Sequence, residues 1–168
     1  DINEVYKVRD ELTVIIDDLI SELRALPTVI EFVDSLREEA ARKKNLTLVK
    51  KRVTAADFMN LDFNPNSNPQ VAGLLRDFFK LPVIDLTDTK QPAVGGKTLK
   101  KHFNTCTDST IKRTLQILIE FAEVAIIRNT FINAFIENSV KKRDGVYWLH
   151  GSFNLGGTVS GRLSSKAP

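Results

Sequence analysis

The residues best suited to chemistry in this 168-residue sequence lie at its end, in GTVSGRLSSKAP from Gly157 to Pro168. This stretch holds two glycines, Arg162, four hydroxyl side chains and no acid. Glycine lets backbone approach a ligand closely. A guanidinium presents a planar fork of donors to anionic or acceptor-rich partners. The pattern fits a strand or turn that brings backbone and a cation up to something negatively charged. It supplies no general base, nucleophile or metal ligand.

A second candidate is Gly95-Gly96-Lys97-Thr98, followed closely by Lys100 and Lys101. The order Gly-Lys-Thr is the tail of a nucleotide phosphate loop. That loop also needs a glycine six residues before the lysine, where this sequence has Gln91, and a buried strand ahead of it. DLTDTK makes a poor strand, so the nucleotide reading is set aside. A milder one stands: N–H groups at a helix start, beside lysines, hold phosphate of any kind. The third candidate is Arg128-Asn129-Thr130, polar residues within the apolar run FAEVAIIRNTFINAFI. A cation there needs a partner, because an unpaired buried charge is costly. Either Glu123 or Glu137 pairs with it, or it reaches phosphate from a face open to solvent.

Other groups offer little. His102 and His150 lie far apart, and Cys106 is near only the first, so no metal spacing appears. Both histidines read as structural or surface residues. Cys106 lacks the third residue that would orient a thiol–imidazole pair. Asp108 and Asp144 read as a cap and a turn residue. Glu120, Glu123 and Glu137 do not assemble into the acidic cluster that two-metal phosphoryl chemistry requires.

The elements that position these residues are mainly helical. Val5, Val8, Leu12, Ile15, Leu19, Leu23 and Leu26 recur at three and four, which predicts a helix over 3–26 capped by Asn3 and stopped at Pro27. A second helix follows, with Val29, Ile30, Val33, Leu36 and Ala40 inward and the cations of ARKKN at its C-terminal end, where the helix dipole favours them. LTLVKKRV reads equally as strand or connector. Ser67 caps and Pro69 opens a helix running to about Phe79, ended by Leu81-Pro82. Residues 85–98 form a loop, then LKKHF a short basic helix. Asp108 or Ser109 caps a long, largely buried helix to about Ser139. A turn on Asp144-Gly145 and an aromatic strand follow. Helices first, strands last and no βαβ alternation give a mainly α chain with a small β part.

Composition bounds the rest. The chain is long enough for one domain that buries roughly 70% of its unfolded surface. One cysteine excludes an internal disulfide and suits a reducing compartment. No apolar run approaches the ~18 residues of a membrane span. Net charge is +3, unevenly placed: residues 1–88 carry 12 Lys/Arg and 16 Asp/Glu, residues 89–168 carry 12 and 5. The basic second half fits a polyanionic partner. The start at Asp1 and the abrupt end suggest a piece of something longer.

LHGSFNLGGTVSGRLSSKAP also resembles the segment leading into the palm of family A DNA polymerases, the DNA polymerase I family. Members carry L-H-x-x-F-N, then about seven residues, then T-G-R-L-S-S-x-x-P. Leu149-His150, Phe153-Asn154 and Gly161-Arg162-Leu163-Ser164-Ser165 match in identity and spacing. Upstream, FNPNSNPQV with LPV resembles the family's F-N-x-x-S-x-x-Q-L…L-G-L-P thumb element, and IIRNTFI its L-K-S-T-Y-I helix. The likeness covers about residues 61–168. Ser160 stands where threonine is usual, Leu155 and Gly156 where many members are polar, and Arg128-Asn129 where they have lysine and serine.

The resemblance implies a helical thumb of long antiparallel helices joined to the first strands of an incomplete palm. Residues 1–26 would lead into the thumb, 27–60 form a helical insertion, 61–139 the thumb with a basic tip at 85–104, and 140–168 the truncated palm. It implies a DNA-directed DNA polymerase of phage-like branch as parent, cytoplasmic in a bacterial or phage-infected cell. Its partners would be primer-template DNA and the remaining palm and fingers. No catalytic residue, metal ligand or cofactor would lie in this segment, and the parent would use two Mg ions. Arg162 would probe the minor groove at the primer end, where purine N3 and pyrimidine O2 recur in every correct pair. Gly161, Ser164 and Ser165 would support it. Lys97, Thr98, Lys100 and Lys101 would hold the duplex at the thumb tip, and Arg128, Asn129 and Thr130 nearer the palm. The alternative is a free-standing helical nucleic-acid-binding module without polymerase chemistry.

Overall fold

The apolar spacing of the first fifty residues produces two helices, α1 (Ile2–Ala25) and α2 (Pro27–Thr47). The computed structural model describes residues 1–50, 52–154 and 164–166. Pro27 sits in the first turn of α2, where its missing N–H costs nothing. Asp1, not Asn3, opens α1: its carboxylate accepts from the Asn3 N–H at 3.0 Å. The inward seam of α1 also differs from the spacing reading. Ile16, Leu19 and Leu23 are buried, whereas Ile15 is exposed.

The residues fall into two compact units, Asp17–Ala122 and Asp1–Ile16 with Glu123–Pro168. In the larger unit α2 buries Val29, Phe32 and Val33, while Ile30 faces solvent. Phe32 is the hub, meeting Phe63 and Phe78 edge-on at centroid distances of 6.1 and 5.8 Å. Of LTLVKKRV, Leu46 and Thr47 end α2, and Leu48, Val49, Lys50, Arg52 and Val53 lie in neither helix nor strand. Asn45 clamps the far end of this stretch, accepting from the Val53 N–H and donating to the Val53 carbonyl, both at 2.8 Å. A short 3₁₀ turn, Ala55–Phe58, follows, closed by a capping box between Thr54 and Asp57. Arg37 then donates to the carbonyls of Leu61 and Met59, and Arg24 to that of Phe63. These cations hold an irregular segment by its backbone acceptors.

Helix α3 (Asn68–Ala72) widens into a π-helical stretch at Gly73–Phe78. Ser67 occupies the cap position without a side-chain cap bond. Pro69 removes one of the donors it would have served. Gly73 lies against Phe32: a Cβ there would make ordinary contact with the ring at 3.4 Å. The helix ends at Phe79, two residues before Leu81, because Lys80 turns left-handed at φ 57°. Helix α4 (Gly96–Thr105) and helix α5 (Ser109–Ile126) complete the unit, with Leu99, Leu115, Ile117, Leu118 and Phe121 in its core. Asp108 caps α5, accepting from the N–H groups of Thr110 and Ile111.

In the smaller unit α5 continues through a π-helical stretch, Ile127–Ile132, into α6 (Asn133–Asn138). The expectation that this run is largely buried is corrected here. Ala125 is buried, but Ile126, Ile127, Phe131 and Phe135 are 45–56% exposed. The run is apolar on more sides than the described residues cover. Strands β1 (Val140–Lys141) and β2 (Tyr147–Trp148) pair antiparallel, Val140 opposite Trp148 and Lys141 opposite Tyr147. The turn between them falls where expected. The Gly145 N–H bonds the Lys142 carbonyl, and Gly145 takes φ 82°, a value few side chains tolerate. Strands β3 (Ser152–Asn154) and β4 (Ser164–Lys166) form a second antiparallel pair. The fold is mainly α with a small β part, as its composition of elements implies.

Candidate nucleic-acid interface

The loop ahead of α4 is built from its own polar residues. Thr87 accepts from the Gln91 N–H, Leu86 bridges Pro92, and the Ala93 N–H bonds the Asp85 carbonyl at 2.9 Å. These bonds close a narrow turn and bring Asp85 beside the first turn of α4. Its carboxylate accepts from the Thr98 hydroxyl at 2.9 Å and from Lys101 Nζ at 2.6 and 2.8 Å. The Lys101 ammonium and the Thr98 hydroxyl, in that order, hold the Asp85 carboxyl below the usual carboxylate range.

This contact sorts the four residues expected at the tip. Thr98 is only 4% exposed and Lys101 is committed to Asp85, so both serve the loop's own structure. Lys97 and Lys100 stand on the exposed side of α4. No side chain caps α4, and a Cβ at Gly95 or Gly96 would meet nothing within 4 Å. The helix start therefore presents open backbone with Lys97 beside it, a surface able to receive an anion. The nucleotide phosphate loop fails on geometry as well as on Gln91. Its hydroxyl is turned inward to a carboxylate, and the preceding residues form a turn instead of a buried strand.

His102 lies on the inner side of α4, 4% exposed, with Nδ1 lacking a hydrogen-bond partner. It borders a cavity of about 20 Å³ shared with Arg76, Leu81 and Val94. Burial pushes its pKa down, and the Asp85 charge opposes that in part. His150 is exposed. Cys106 is a half-buried free thiol with a single 3.7 Å contact to the Asp108 carbonyl.

Arg128 is held by two polar side chains. Its Nε donates to the Thr13 hydroxyl at 2.8 Å, and Nη1 to the Asn129 side chain at 2.9 Å. Thr13 in turn donates to the Arg9 carbonyl, so α1 anchors the guanidinium through a hydroxyl. Asn129 and Thr130 are exposed. The three residues share one stretch of helix and leave polar groups at the surface.

Gly161 and Arg162 lie outside the described residues. Ser164 and Ser165 belong to β4, opposite Asn154 and Phe153. Phe153 and Asn154 of one half of the terminal motif are thus cross-strand neighbours of Ser165 and Ser164 of the other.

The spacing arguments miss two features. One is Asp85, whose partner Thr98 lies thirteen residues on. The other is the β1–β2 hairpin, where Lys142 lies 4.3 Å over the Trp148 ring and Lys141 5.8 Å over Tyr147. Basic turn and aromatic strand are both visible in the sequence, and their register is the clue to the stacking.

Compared with models of known families and with curated proteins, the chain matches none. Among the described residues no helix is long and apolar enough to cross a membrane. Nor do any three His, Cys, Asp or Glu side chains among them gather into a metal site.

Proposed function

We propose that this chain is the primer-template-holding segment, thumb and first palm strands, of a DNA-directed DNA polymerase of family A. The observation that carries the reading is the terminal motif, L-H-x-x-F-N followed at the family's spacing by G-R-L-S-S. Its support is the pairing of Asn154 with Ser164, which gives the motif's two halves one common framework. The helical architecture, the exposed Lys97 and Lys100 on α4 and the basic balance of residues 89–168 agree with a part that grips duplex. The uncovered apolar side of Ile126–Phe135 agrees with a piece that normally packs against more protein. A cytoplasmic setting, in a bacterial or phage-infected cell, follows from the same reading.

The physical logic is sequence-independent grip with a shape test. Lysines and arginines neutralise phosphates wherever the duplex lies. Arg162 reaches minor-groove acceptors that all correct pairs share, so a distorted pair loses the contact. Thr98 and Lys101 act behind this surface, fixing the loop that presents Lys97. On this reading the two Mg ions of the parent reaction are held by the remaining palm.

The test is Arg162→Ala in the polymerase that contains this segment. Extension and mismatch discrimination should fall by about 1–3 kcal/mol, the worth of a good groove contact. Extension and discrimination at the parental level would refute the reading.

A further inference from the structure

We propose that the β1–β2 hairpin is a binding site for single-stranded nucleic acid, with Trp148 as its stacking platform and Lys142 and Arg143 as its phosphate contacts. The proposal stands on the hairpin itself and does not rest on the polymerase reading. Trp148 is 46% exposed although it is a large aromatic ring. Cross-strand partners share a face of the ribbon, so the Val140–Trp148 pair lies on the face opposite to Lys141–Tyr147. Lys142 joins the Trp148 face, its ammonium 4.3 Å from the ring centroid. Arg143 follows at the tip of the turn, exposed. The acid of the turn, Asp144, is engaged with the hairpin's own backbone, accepting from the Val146 N–H at 3.0 Å.

A ring under a cation, beside a second cation, matches what a flexible strand offers and a duplex withholds. A single strand exposes the faces of its bases, which stack on aromatic side chains with little regard to sequence, and its phosphates follow the nearby cations. A duplex hides those faces and presents backbone and groove edges. The lysine also restrains the ring through its cation–π contact. The hairpin turn fixes the spacing between stacking group and charges, since Gly145 and its hydrogen bonds determine the register.

Trp148 is the only tryptophan of the chain, so its fluorescence reports this site alone. The 168-residue chain is titrated at low salt with an oligothymidylate of about a dozen nucleotides, within the footprint of a small single-strand module. Saturable quenching is expected. Heparin of equal charge should leave the emission unchanged, and a blunt duplex, even when bound through other cations, should leave it largely unquenched because its bases are not free to stack. Trp148→Leu, followed by anisotropy of labelled oligothymidylate, should bind about tenfold more weakly, a loss within the range of one stacked base. Lys142→Ala with Arg143→Ala should weaken binding and flatten its salt dependence. No quenching, or equal quenching by heparin or by blunt duplex, would each overturn the proposal. The titration of the unaltered chain decides the matter even if a variant fails to fold.

Discussion

Asp85 decides what the tip of α4 can present. It draws Thr98 and Lys101 inward and leaves Lys97 and Lys100 on the exposed side. Because its carboxyl is held below 3.8, mainly by Lys101, its contribution to stability is present above that value. It is lost as pH falls through the lowered folded value. Asp85→Asn should lower the melting temperature at neutral pH and remove that acid-limb dependence. A wild-type acid limb in the variant would show that the contact is incidental. His102 acts in a higher window. Burial lowers its pKa from 6.5, so the unfolded chain takes up the proton first and stability declines as pH falls through about 6.5 toward the folded value. The groups near it are Arg76, which lines the same small cavity, and Asp85, whose charge limits the shift. Melting curves across this window should show the decline, and His102→Gln should flatten it. Little of this is legible in the sequence. GGKT looks like four surface residues because its neighbours are lysines. Thr98 alone is buried, against a carboxylate thirteen residues earlier that only the loop's fold brings near.

At the scale of elements, local chemistry is far more readable. Helix α1 and helix α2 fall within a residue or two of the spacing reading, because Pro27 and the three-four apolar recurrence act over one or two turns. The hairpin turn is legible for the same reason: Asp144-Gly145 carries its own geometry. Which side of a helix is buried depends on its neighbours. Ile16 replaces Ile15 in the α1 seam, and the apolar run of α5 into α6 keeps Phe131 and Phe135 exposed. Phe63 shows the reverse case, a residue in an irregular segment that becomes fully buried against Phe32. Phe63→Ala should therefore cost about 3–5 kcal/mol in urea unfolding, the range for deleting a buried phenyl ring. A loss under about 1 kcal/mol, the ordinary size of a surface change, would show that the Phe32 cluster does not hold the larger unit together.

For the molecule as a whole, the uneven charge is the property that connects sequence to function. The acidic first half and basic second half are plain in the sequence, but which cations face outward is not, since Lys101 and Arg128 are engaged internally. We propose that exposed cations of the second half, Lys97 among them, hold duplex DNA through its phosphates, whatever its sequence. The most direct measurement is the affinity of this chain for a primer-template duplex over a salt series. Each neutralised phosphate contributes a slope of about −0.9 in log K against log salt, so about three contacts should give roughly −3, alike for unrelated sequences. Affinity that stays flat across the series, or no duplex binding at the lowest salt, would contradict the account.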